Sequence, residues 1–233
     1  LNLTFEMRAG IVKHSHDLLP GEYPFLDEYL PGLFPPLEAQ IIDLADEIAY
    51  NTADLDDARD ADILTWEEIR ASVPKFDELA RRVEQQFAGA PLREQFVETL
   101  RALLDFLATA LIEGTYRAAL AAGVETAEDV RHSPFRLACY TPEAAETSAV
   151  LKRFLRERVY QSPAIRGVRA QCEEEIRTLF RFLLDHPAAI SASFREYHQT
   201  EAPHRLVCDY IAGMTDGFFR GTYGRLLGTT RTG

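Results

Sequence analysis

Cysteine is scarce in this chain, with three in 233 residues. Cys139, Cys172 and Cys208 are isolated, odd in number and without a CxxC spacing. That argues against a disulfide framework or a zinc site and fits free thiols, mostly core filler, in a reducing compartment. Long apolar runs are missing as well. No stretch approaches the roughly 20 residues that span a bilayer, and no signal peptide opens the chain, so no membrane partner and a cytoplasmic location are expected. Basic residues are outnumbered, 25 against 37 acidic ones, for a net charge of −12. Broad, non-specific nucleic-acid binding needs the opposite balance. A small anionic ligand held by a few local arginines remains compatible with it. Alternating strand patterns are also absent, which leaves helices.

Helical periodicity runs through the rest. Residues 3–14 read as a short helix, and residues 17–36, with five prolines and two glycines, as an irregular connection with exposed aromatics. Pro35-Pro36 opens a helix, a good place for proline. Thr65 followed by Glu68 makes a capping box. A helix over 75–88 stops at Gly89-Ala90-Pro91, and a long, buried one follows over 92–121. Thr141-Pro142 starts another helix, Ser162-Pro163 breaks it, and further helices are expected over 165–185 and 204–227. No heptad persists, so the expectation is an all-α globule and not a coiled coil.

The helix after Pro36 carries the most informative pattern. Leu37, Ile41, Leu44, Ile48 and Leu55 recur at core spacing, while Asp46, Tyr50 and Asp54 stack four residues apart on nearly the opposite side. Pattern alone makes the acidic side a solvated face. Tyr50 argues otherwise, because a large aromatic in mid-stripe suits a surface that meets something other than water. A carboxylate on such a face completes a metal site when histidines arrive from other helices. By spacing alone Asp46 has no such neighbours: His132, His186, His198 and His204 are scattered and read as surface or capping residues.

Other candidates are weaker. His14, His16 and Asp17 sit in a turn with no rigid face, and a loop role outweighs a metal role. The acidic run from Asp54 to Asp62 lacks the glycine and distal glutamate of a calcium loop and reads as a solvated helix end. Lys152, Arg153, Arg156, Arg158, Arg166 and Arg169 suit phosphate, but mostly read as solvated helix faces. Gly213, Gly217 and Gly221 fall on one helical face, and close helix packing is the expected reason.

Three blocks point to a family: LNLTFEMRAGIVKHS from Leu1, PPLEAQIIDLADEIAYNTADLDDA from Pro35, and VCDYIAGMTD from Val207. They resemble bacterial deoxyguanosine triphosphate triphosphohydrolase-like proteins, metal-dependent HD-domain enzymes similar in their core to the eukaryotic dNTP triphosphohydrolases. The resemblance runs from Leu1 to about Leu227. It implies an HD-type helical globule lacking the N-terminal helices of the catalytic core. Residues 1–62 would be the C-terminal part of that core, and residues 63–233 a helical region packed on it. It places the last metal ligand at Asp46 and the deoxyribose contacts at Tyr50 and Asp54. The family's first histidine and His-Asp pair precede the first block, so His14, His16 and Asp17 are not those ligands. Gly217 stands where such proteins carry a basic residue.

The resemblance thus implies part of a hydrolase that converts a dNTP, dGTP-like, to deoxynucleoside and inorganic triphosphate with Mn²⁺ or Mg²⁺. It also implies a homo-oligomer. A single aspartate does not hold a divalent ion tightly, so this chain is expected to be inert and not to retain the metal. The alternative is a non-catalytic helical module for nucleotide binding or oligomerisation.

Overall fold

The computed structural model describes residues 2–198 and 200–228. In order, the helices are α1 (Phe5–Val12), α2 (Leu37–Asp60), α3 (Trp66–Ser72), α4 (Pro74–Gln86), α5 (Leu92–Ala122), α6 (Ala127–Arg131), α7 (Pro142–Leu155), α8 (Pro163–Asp185), α9 (Ala192–Tyr197), α10 (Pro203–Ala212) and α11 (Asp216–Leu227). Short 3-10 turns lie at Pro24–Tyr29 and Pro187–Ala189, and a π-helical turn, Arg156–Tyr160, extends α7. No strand occurs among the described residues, and the chain is all-α as its periodicity indicated.

By its contacts the chain divides into two compact units, Leu1–Ser162 and Pro163–Gly233. The division falls at the Ser162-Pro163 break, where the proline ring cannot continue the preceding helix. The expected boundary at residue 62 falls inside the first of these units. Residues on both sides of it share a single core in the first unit, from Ile48 and Leu55 to Phe96 and Leu151.

Local chemistry sets the helix ends in that unit. Thr65 Oγ1 accepts from the Glu68 amide, and the Glu68 carboxylate accepts from the Thr65 amide at 2.9 Å. Those bonds, the Thr65 amide first, hold the Glu68 carboxyl below its usual range. Helix α5 ends at Gly123, whose φ of 64° suits a residue without Cβ. Behind the capping box, the rings of Trp66, Phe76 and Phe96 meet with centroids 5.4–6.0 Å apart. Leu103 and Leu107 continue this core along α5.

The 17–36 connection is more ordered than its prolines suggested. Tyr23 and Phe25 are exposed as expected, but Tyr29 is buried and stacks on Phe5 of α1. Lys13 fastens this loop. Its buried ammonium donates to the carbonyls of Leu30 (2.8 Å) and Leu33 (2.7 Å), close to the left-handed backbone of Leu30 and Gly32. Burial first, then the nearby Arg131, lowers the Lys13 pKa against the opposing pull of Asp17.

The second unit packs Leu179, Leu183, Ile190 and Val207 into its own core. Three expectations change there. The helix read over 204–227 is two helices: α10 stops at Gly213, and Thr215 caps α11 by accepting from the Phe218 amide at 3.3 Å. A threonine followed by an aspartate competes with helix continuation because its hydroxyl satisfies a free amide. The glycine face does not pack closely either, since a Cβ on Gly217 or Gly221 would meet nothing within 4 Å. Finally, Cys172 and Cys208 are exposed free thiols and not core filler; Cys139 alone is half-buried.

Close packing does require a glycine at Gly114 on α5. A Cβ there would sit 2.6 Å from the Tyr140 carbonyl carbon and nearer still to the Cys139 carbonyl oxygen. Backbone cannot yield as a flexible side chain can. Gly114→Ala is therefore expected to destabilise the first unit by about 1–3 kcal/mol despite alanine's better helix propensity. A urea midpoint equal to or above the wild-type value would contradict this.

Candidate functional site

Helix α2 is fixed at its start by one buried amide. Gln40 donates through Nε2 to the Pro35 carbonyl at 2.9 Å, and its Oε1 accepts from the amides of Leu137 (2.8 Å) and Ala138 (3.3 Å). One turn on, Asp43 accepts from the Ser15 amide and from Arg136, and pairs with His14 Nδ1 at 2.5 Å. Arg136 also grips Asp17 at 2.8 Å. His14 and Asp17 are thus tied to these partners, and His16 bonds the His14 carbonyl, as a loop role predicts. The scattered histidines behave likewise: His132 and His198 cap helix C-termini, and His186 precedes the short 3-10 turn.

Beyond Asp43, α2 presents three sides. Ile48, Thr52 and Leu55 are buried in the core. A second edge faces α7 and its π-helical extension. There Ser148 Oγ donates to Glu47 at 2.7 Å, Lys152 Nζ reaches the same carboxylate at 2.9 Å, and the Tyr160 hydroxyl donates to Asp54. Tyr140, which leads into α7, donates to the Leu44 carbonyl at 3.2 Å. The third side is open and carries Asp46 and Tyr50, the latter 63% exposed. It is not a charged, solvated face: Ile42, Ala45, Ala49 and Ala53 lie beside them, also exposed.

The stripe therefore splits. Asp46 and Tyr50 stand on the open side with no hydrogen-bond partner among the described residues, while Asp54 is half-buried at the α7 edge. Asp46 also stands alone as a donor. Among the described residues no three His, Cys, Asp or Glu side chains come close enough to hold a metal ion. The donor set among the described residues does not fit a divalent metal.

The residue that sequence reasoning missed is Tyr160. Its signal was a four-residue series, Ser148, Lys152, Arg156 and Tyr160, which follows α2 from Glu47 to Asp54. The π-helical turn, a departure common at functional sites, carries its last two members. Burial, then the bond to Asp54, raises the Tyr160 pKa, and burial pushes that of Tyr140 up to about 12. Of the arginines, Arg158 is taken by Glu68, whereas Arg153 and Arg156 are exposed and make no ion pair among the described residues. Two open grooves lie elsewhere, one of about 540 Å³ between α4 and α5 and another by Phe87 and Arg93.

Comparison with known proteins adds what the chain resembles. Residues 138–225 match the model of a phosphohydrolase-associated domain. A deoxyguanosinetriphosphate triphosphohydrolase-like protein of Geobacter sulfurreducens is 35% identical over 229 residues, covering 97% of this chain and 58% of that protein. Proteins of the same name from Ralstonia nicotianae (35% identical; 94% of this chain, 56% of theirs) and Caulobacter (32%; 94% and 58%) are similar throughout. The chain spans rather more than half the length of these relatives. No helix among the described residues is long and apolar enough to cross a membrane.

The two half-buried phenols carry a stability signature. Each pKa is raised on folding, so their contribution is intact below the ordinary tyrosine pKa of about 10 and is lost as pH rises beyond it. Unfolding measured between pH 10 and 12 should show the wild type losing stability more steeply than Tyr140→Phe/Tyr160→Phe. Identical slopes would mean that neither phenol is held in its neutral form.

Proposed function

We propose that this chain, a relative of the deoxyguanosinetriphosphate triphosphohydrolase-like proteins along nearly its whole length, is part of a dNTP triphosphohydrolase. The reaction splits a dGTP-like substrate into deoxynucleoside and inorganic triphosphate by attack of water at the α-phosphorus. Residues 1–62 belong to its HD-type catalytic core, and residues 63–233 form the associated helical region. The protein acts in the cytoplasm as a homo-oligomer.

One observation carries this reading. The open side of α2 joins Asp46 and Tyr50 to exposed apolar residues, and Asp54 next to them is held by Tyr160. That arrangement suits a nucleoside. The Tyr50 ring packs on the deoxyribose, and Asp54 accepts the 3′-hydroxyl proton while Tyr160 keeps its carboxylate in place. The unpaired Arg156 and nearby Lys152 supply positive charge for a phosphate chain.

A divalent ion such as Mn²⁺ or Mg²⁺ supplies Lewis acidity and an activated water in such chemistry. Asp46 is suited to be one of its ligands, but the others are not among these residues. This chain alone is accordingly inactive and holds no catalytic metal. The same isolation of Asp46 favours the second reading, a non-catalytic module that binds nucleotides or partner subunits.

Release of inorganic triphosphate from dGTP with Mn²⁺ or Mg²⁺ separates the two. A longer protein, extended toward the length of the relatives, should turn over. Asp46→Ala should abolish that activity, and Tyr50→Ala or Asp54→Ala should raise KM about tenfold through lost substrate contacts. Unchanged activity in Asp46→Ala removes it from the ligand set. Turnover by the 233-residue chain itself would refute the argument from missing ligands.

A further inference from the structure

The edge of α2 that meets α7 holds one carboxylate with both oxygens engaged. Glu47 Oε1 accepts from Ser148 Oγ at 2.7 Å, and Oε2 takes the Lys152 ammonium at 2.9 Å. The two partners differ in kind. Ser148 is 5% exposed and fixes the carboxylate from inside, whereas the Lys152 side chain is 54% exposed. An ion pair in that position adds little to stability, and α7 is already seated by Leu151 and Leu155. Scaffolding therefore does not account for it. Lys152 is also the cation one helical turn, about 6 Å, before the exposed Arg156, which makes no ion pair among the described residues.

We infer that Glu47 is a built-in counter-ion for Lys152, which competes with an incoming phosphate chain for the ammonium and so limits how firmly the site keeps triphosphate. The serine holds the carboxylate still, so the partner that moves is the lysine, a charged group on a flexible four-carbon stem. A phosphate chain lying along Lys152 and Arg156 draws that ammonium onto its oxygens through charge-assisted bonds and parts it from Glu47. The abandoned carboxylate stays in place, facing the phosphate with like charge, and takes the ammonium back when the anion leaves. Binding is thus an exchange of one anion for another at Lys152. Inorganic triphosphate concentrates the negative charge of the substrate, so two unopposed cations would retain it longest, and the exchange eases its departure. This role rests on the nucleotide reading above for the orientation of the phosphates, but not on hydrolysis or on a metal.

Titration calorimetry of inorganic triphosphate into the 233-residue chain, without divalent cations and at about 50 mM ionic strength, tests it. Glu47→Gln keeps an acceptor for Ser148 and Lys152 while removing the charge, and should bind about tenfold more tightly than the wild type. In a Lys152→Gln background the same substitution should gain about twofold or less, since the contested cation is gone. Circular dichroism checks the fold, and Glu47→Ala gives the same comparison if the glutamine variant melts early. Equal affinities for the wild type and the Glu47 variants, or no binding by any of them, overturn the counter-ion. A full gain without Lys152 overturns the lysine as the group contested. Turnover of dGTP by the longer protein is decided separately. Turnover with no gain at Glu47 sinks this role alone, and a gain without turnover leaves it standing while the hydrolase reading falls.

Discussion

The side-chain amide of Gln40 spends all its useful bonding capacity in a buried place: one N–H to the Pro35 carbonyl, and the oxygen to the amides of Leu137 and Ala138. Each of those backbone groups would otherwise be left unpaired on burial, at about 1–3 kcal/mol apiece. By joining the start of α2 to the segment that leads into α7, Gln40 sets how far those two helices slide past each other. The pairings of Glu47 with Ser148 and Lys152, and of Asp54 with Tyr160, follow from that setting. On its other flank the same segment lies against Gly114, where α5 has no side chain to push it away. The candidate site therefore depends on a contact that none of its own residues makes.

Helix α2 is unusual in how it divides its surface. A peripheral helix commonly has an apolar side and a charged one. Here the buried side is partly polar, with Gln40, Asn51 and Thr52, and the open side is partly apolar, with Ile42 and three alanines. A helix with little charge on its outer side is shaped to have something laid over it. A nucleoside on Tyr50 and further polypeptide beside the alanines both fit that shape.

Much of the fold was legible because its signals are local. The Thr65–Glu68 box, the stop at Gly89-Ala90-Pro91 and the break at Ser162-Pro163 act within a few residues of themselves, and each stands where the sequence placed it. The terminal region was misread because a regular glycine spacing outweighed Thr215, whose hydroxyl decides locally that a new helix begins. Tyr29 was misread because its burial depends on Phe5, a partner 24 residues away. The site was half legible. Asp46, Tyr50 and Asp54 share a helix, so their spacing announces them, although only the π-helical turn after α7 reveals that Asp54 belongs to a different edge. Tyr160 was missed because its partner lies 106 residues earlier, so its four-residue series with Ser148 and Lys152 names no counterpart by itself.

The π-helical turn at Arg156–Tyr160 has a consequence for how this region tolerates change in chain length. It spreads its residues over a wider loop of backbone than an α-helical turn does, so it takes up one residue that a regular helix would have to pass along. Upstream, Leu151 and Leu155 keep their seats in the core, and downstream Pro163 starts afresh. A gain or loss of a single residue here would be absorbed within the turn. The tyrosine it carries would swing around the helix axis while the scaffold stayed in register. The turn thus works as a vernier, on which the position of residue 160 over Asp54 is adjusted independently of the core.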